Sequence, residues 1–140
     1  GCKHKCEGCF NPETHSFDGG EIMDMDKLIK DVLDNPMLKG VTFSGGDPIE
    51  QAHSFAYMAK AFKKANLNIW CYTGYTFEKL LELMKKNENI RMLLNNIDVL
   101  VDGRFEIMNR NEELKFKGST NQRIIDVKKS LEYGNIIVIG

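Results

Sequence analysis

Residues 41–75 read VTFSGGDPIEQAHSFAYMAKAFKKANLNIWCYTGY, and the order of patterns in this stretch decides the fold. VTFS (41–44) is a short apolar run stopped by Gly45 and Gly46, which reads as a buried strand entering a turn. Between about Ile49 and Ala65, Ala52, Phe55, Ala59 and Phe62 recur at three- and four-residue steps, marking one face of a helix. NIWCYT (68–73) is strand-like again. Two strands joined by a helix-sized link are what a parallel crossover requires. The stretch therefore predicts a β-α-β unit.

The same alternation extends outward on both sides. Met25, Leu28, Ile29, Val32 and Leu33 follow helical spacing behind Asp24, an N-cap residue type. After Tyr75, the residues Phe77, Leu80, Leu81 and Met84 predict another helix. IDVLV (97–101) predicts a third strand and IIVI (136–139) a fourth, with a helix between Arg123 and Leu131. Segment 118–123 (GSTNQR) reads as the cap of that helix, through Ser119, Thr120 or Asn121. The class is α/β with a parallel sheet. No repeat, low-complexity tract or linker divides the sequence, so one domain over 1–140 is expected: an irregular, turn-rich stretch (1–21) and a β/α core (22–140).

In parallel α/β sheets ligands gather at the carboxyl ends of the strands. Three strands here run into polar or glycine-rich turns, namely Gly45-Gly46-Asp47-Pro48, Thr73-Gly74-Tyr75 and Asp102-Gly103-Arg104. All three are expected on one sheet edge. Pro48 suits a helix start, where its missing N–H costs little. The two glycines allow close backbone approach to a ligand, and Asp47 can accept from a bound ammonium. Thr73 and Asp102 are candidate ligand contacts because they end strands on that edge. For Asp102, a turn-forming Asp-Gly pair reads equally well.

The charges argue against some partners. Nineteen Lys and Arg face 20 Asp and Glu, interspersed along the chain, so no basic stripe for nucleic acid and no membrane patch is present. No apolar run reaches the ~20 residues that span a bilayer, and no stretch with a basic start and apolar centre reads as a signal peptide. A cytoplasmic location is expected. The sequence opens at Gly1, one residue ahead of Cys2, and is expected to be a fragment lacking an N-terminal segment.

That opening, GCKHKCEGC (1–9), holds three of the four cysteines. Such clustering is a poor disulfide framework and points to metal or redox chemistry. Thiolates so close in one loop converge on a soft centre, either zinc or iron-sulfur. A zinc site closes with four ligands, and His4 or His15 keeps a Cys3His set open. Three thiolates on a cubane would instead leave one iron open to a further ligand. Cys71 reads as a buried strand thiol. His4, His15 and His53 read as surface or loop histidines, since no nucleophile or carboxylate pairs with them at readable spacing.

The spacing CxxxCxxC resembles the signature of the radical S-adenosylmethionine (SAM) superfamily, and Gly45-Gly46-Asp47 stands where that superfamily carries a Gly-Gly-acid turn. With GCKHKCEGCFNPETHSF, TFSGGDP, IWCYTGYTFEKL, VLVDGRF and FKGSTNQRIIDVKKSL in consistent order, the chain resembles the activating proteins of anaerobic ribonucleoside-triphosphate reductase. That resemblance implies a partial TIM-like barrel of the radical SAM type, lacking an N-terminal strand here. It implies a [4Fe-4S] cluster on Cys2, Cys6 and Cys9, with SAM on the remaining iron. Gly45, Gly46 and Asp47 would hold the methionine end of SAM, and the backbone of Gly8 and Phe10, which flank Cys9, would contact adenine. Many radical SAM proteins carry an aromatic residue where Gly8 stands, whereas these activases favour glycine.

The implied reaction is reductive cleavage of SAM to a 5'-deoxyadenosyl radical, which makes a glycyl radical on the partner reductase. A low-potential electron donor such as flavodoxin is implied too. The cluster is expected to order residues 1 to about 20. Two rivals stand beside this reading: the activating enzyme of pyruvate formate-lyase, and a non-catalytic zinc-binding interaction module that uses the cysteine loop as a staple.

Overall fold

The computed structural model describes residues 2–8, 24–44 and 46–140. Cys9, Phe10, His15 and Gly45 lie outside the described residues. The elements run α1 (Met25–Leu33), β1 (Gly40–Phe43), a 3-10 turn (Pro48–Gln51), α2 (Ala52–Lys64), β2 (Asn68–Tyr72), α3 (Phe77–Met84), α4 (Glu88–Asn95), β3 (Val99–Asp102), a second 3-10 turn (Ile107–Asn109), β4 (Arg123–Asp126) and α5 (Val127–Tyr133). Among the described residues no helix is long and apolar enough to cross a membrane.

The strands form one open sheet in the order β1-β2-β3-β4. β1, β2 and β3 are mutually parallel, with Phe43 opposite Cys71 and Cys71 opposite Leu100, as the β-α-β reading expected. Side chains alternate between faces along a strand. Phe43, Ile69, Cys71, Leu100 and Ile125 meet the helices, where Ala56, Ala59, Phe62, Leu80, Leu93 and Leu94 complete a single apolar cluster. Fully burying a leucine such as Leu80 or Leu93 is worth about 2 kcal/mol. Val99, Val101 and Ile124 form a smaller cluster on the other face with Trp70 and Tyr72. There the Phe116 ring lies 5.1 Å from that of Trp70.

The helix starts follow side-chain chemistry. Asp24 accepts from Asp26 N and Lys27 N, as expected of it, and Thr76 caps α3 by accepting from Lys79 N. α4 was not anticipated. Asn87 caps it through Asn89 N and Ile90 N, and Ile90, Leu93 and Leu94 bury its inner face.

The fourth strand needs correction. IIVI (136–139) is not a strand of the sheet; it lies against the outer edge of β4 through a single bridge, Ile125 to Val138, and Val138 and Ile139 are exposed. The strand is Arg123–Asp126, antiparallel to β3 with Asp102 opposite Arg123. The physical reason lies in the connection, because the chain between Asp102 and Arg123 holds only a 3-10 turn, and a parallel return needs a crossover that this segment does not supply. α5 therefore begins at Val127 rather than near Arg123, and its cap is Asp126, which accepts from Lys129 N. Ser119, Thr120 and Asn121 do not cap it.

Candidate functional site

Parallel β1, β2 and β3 bring their three following turns to one edge, and hydrogen bonds stitch those turns together. Asp47 ends the first turn and is 2% exposed. Its Oδ1 accepts from Ile49 N at 3.0 Å, which caps the 3-10 turn. The Thr73 hydroxyl lies 3.0 Å from both carboxylate oxygens, and Gly74 N donates to Oδ2 at 2.9 Å. The second and third turns join where Gly103 N donates to Tyr75 O at 3.0 Å.

The cysteine loop packs onto this edge. His4 is buried, and its Nε2 lies 2.5 Å from Asp47 Oδ2. On the other side of the ring, Arg104 Nε donates to Nδ1 at 3.2 Å. His4 lies in a loop, as expected, but it is buried and paired with a carboxylate, where a histidine without such a partner was expected. No spacing could reveal its partner, since Asp47 stands 43 residues away in the chain. The loop also rests on Tyr75, whose ring meets His4 edge-on at 4.7 Å and whose hydroxyl donates to Glu50 at 2.5 Å. Burial, and then the Glu50 carboxylate, raise the Tyr75 phenol above its ordinary value, so it stays a donor. Lys3 reaches Glu50 at 3.6 Å. Residues 2–8 are thus fastened by protein contacts of their own, whereas the cluster alone was expected to order them.

Left-handed backbone at Lys5 (φ 51) and Gly8 (φ 75) curls the loop. A Cβ on Gly8 would come within 2.8 Å of Ile107 Cδ1, so the glycine permits both the turn and the close approach.

Cys2 and Cys6 are half-buried and line one cavity of about 170 Å3 together with Gly46, Asp47, Thr73 and Phe105. A larger hollow of about 520 Å3 lies over the sheet face that the helices leave uncovered, sharing Tyr72, Phe105 and Gln122 as walls. The edge thus brings together Cys2, Cys6, Gly46, Asp47 and Thr73 of the expected site residues. Asp102 sits apart from that cavity. Its carboxylate accepts from Phe77 N at 2.8 Å and from Arg123 at 3.1 and 2.5 Å, which ties α3 to β4. Segment 118–123 binds the third turn: Gln122 Nε2 donates to Gly103 O at 3.0 Å and Asn121 Nδ2 to Arg104 O at 2.8 Å.

Cys71 is fully buried, and desolvation, helped by the charge of Asp47, pushes its thiol far above the ordinary value. It is a core thiol, as expected. The soft donors facing the cavity are Cys2 and Cys6, a set that fits an iron-sulfur cluster. A mixed set also exists, since ligand atoms of Cys2, His4 and Asp47 lie within 4.8 Å of one another. There, however, His4 Nε2 and Asp47 Oδ2 are already engaged with each other.

Comparison with known proteins agrees with this donor set. Residues 1–125 match the family model of a 4Fe-4S single cluster domain. The chain is similar to the anaerobic ribonucleoside-triphosphate reductase-activating proteins of Haemophilus influenzae (37% identical, covering 89% of this chain and 81% of the relative) and Vibrio cholerae (36%, with the same shares). The protein of that name from Enterobacteria phage T4 is 33% identical over 89% of this chain and 78% of its own length. No solved structure matches the chain. With relatives this similar along most of both chains, and the cysteine loop seated on the Gly-Gly-Asp edge, the chain belongs to the family of anaerobic ribonucleoside-triphosphate reductase-activating proteins.

Proposed function

We propose that this chain activates an anaerobic ribonucleoside-triphosphate reductase, as a radical SAM enzyme that places a glycyl radical on that partner. The observation that carries this reading is the cavity where Cys2 and Cys6 face Gly46, Asp47 and Thr73. Cys2, Cys6 and Cys9 would hold a [4Fe-4S] cluster, and Gly45, Gly46 and Asp47 would take the methionine end of SAM. When bound, the reduced cluster supplies the electron that cleaves SAM to methionine and a 5'-deoxyadenosyl radical.

The residues of the chain do the orienting. The Asp47 carboxylate accepts from four internal donors, so it would serve the ligand by fixing the turn, whose backbone N–H and C=O groups would meet the methionine amine and carboxylate. Thr73 holds Asp47 in place. Asp102 acts one step away, anchoring the third turn through Arg123. The backbone of Gly8 and Phe10 would contact adenine. Phe105 and Tyr72 form apolar walls that exclude water from the radical. Residues 1–140 act as one radical SAM domain, with 1–21 as the cluster loop and the open, mostly parallel sheet as part of a TIM-like barrel. The electron donor is a low-potential carrier of the flavodoxin type, and the setting is the cytoplasm.

The test is electron paramagnetic resonance on the iron-loaded protein mixed with SAM, a reductant and a partner. A glycyl radical on the anaerobic reductase is the expected result. A radical on pyruvate formate-lyase alone would move the chain to the rival activase, and no radical on either would overturn the reading.

A further inference from the structure

The cysteine loop is fastened to the sheet edge by a residue that is not a cysteine. The His4 side chain is 3% exposed, and both ring nitrogens are engaged. Arg104 has only donors to offer, so Nδ1 is the acceptor in that contact and the ring proton sits on Nε2, directed at Asp47 Oδ2. One face of the ring lies on Gly74, where a Cβ would come within 2.5 Å of Cδ2 and 2.7 Å of Nε2. The neighbouring ring is Tyr75.

On the functional reading above, SAM is gripped at two places: by iron carried on the cysteine loop and by the turn at 45–47. Cysteines fix a cluster to the loop, but they do not fix the loop to the turn. A ligand held at two points loses affinity when those points move independently. A buried bond between the two elements runs from His4 to Asp47. Lys3 to Glu50, longer and with Lys3 60% exposed, is a weak second tie.

We propose that His4 is a positioning residue whose Nε2–H bond to Asp47 holds the Cys2–Cys6 segment at a set distance from the Gly46–Asp47 turn, and thereby sets the affinity for SAM. It does so without ligating metal.

Two measurements test this on the whole chain. SAM binding to the iron-loaded protein is read by titrating the spin signal of the reduced cluster. Amide hydrogen exchange on metal-free protein is read at Gly74 and Ile49, which both donate to Asp47. His4→Phe keeps ring volume and removes the N–H. It is expected to load iron like the wild type, bind SAM about tenfold more weakly and exchange about tenfold faster at both amides, the effect of one hydrogen bond to a charged group. His4→Gln restores a donor and is expected to return both readouts to within about threefold of the wild type.

SAM binding unmoved in His4→Phe overturns the proposal alone, and so does a glutamine variant as weak as phenylalanine. Iron lost in step with SAM would assign His4 to ligation or bulk folding, which also overturns it. Should His4→Phe fail to fold, Gly74→Ala displaces the same ring without altering it, and the same outcomes apply. Wild-type protein that loads iron and binds no SAM overturns the functional reading and this proposal together.

Discussion

Asp47 shows how one buried side chain can tie three segments of a site together. It accepts from His4, Ile49, Thr73 and Gly74 at 2.5 to 3.0 Å. Asp47→Ala strands those buried donors, and a loss of about 3–5 kcal/mol is expected, as when one partner is removed from a buried charged network. Urea unfolding of the metal-free chain measures it, and a loss under about 1 kcal/mol would contradict the hub. Lost activity in that variant consequently cannot separate a SAM contact from a structural staple. The motif was legible in the sequence as Gly-Gly-Asp on a sheet edge. The direction of its carboxylate was not, because the donors that turn it inward come from segments 43 and 26 residues distant. His4 was misread for the same reason.

At the scale of elements, local periodicity located α1, α2, α3 and the three parallel strands, while capping chemistry gave Asp24. It missed α4, whose apolar face is only Ile90, Leu93 and Leu94 within a polar run. It also placed the fourth strand in IIVI, since an apolar tetrad reads as strand whether or not it reaches a sheet. What pins β4 is a charged tie, Arg123 to Asp102 and Glu78 at 2.5 Å each. The Arg123 bond holds the Glu78 carboxyl below its ordinary 4.5. A depressed carboxyl adds stability above its unfolded value and loses it as the pH falls through the folded one. Glu78 is 60% exposed, so screening limits the gain, and Glu78→Gln is expected to cost at most about 1 kcal/mol near neutral pH. Unfolding at about pH 7 and about pH 3 reads the sign, with the cost smaller in acid. A cost unchanged in acid would show that the ion pair is not its source.

For the molecule as a whole, three parallel strands align three turns, and a loop with two described cysteines seats on them through His4. The alignment was legible because parallel β-α units put all their following turns on one edge. How the loop docks was not, because docking depends on side-chain partners distant in the chain. On the function proposed above, this loop gathers an iron-sulfur cluster beside the Gly-Gly-Asp turn. The metal content of protein prepared and reconstituted under strict exclusion of oxygen tests this. About four irons per chain, lost on substituting Cys2 or Cys6 with serine, is the predicted result. About one zinc per chain with no iron uptake would contradict it.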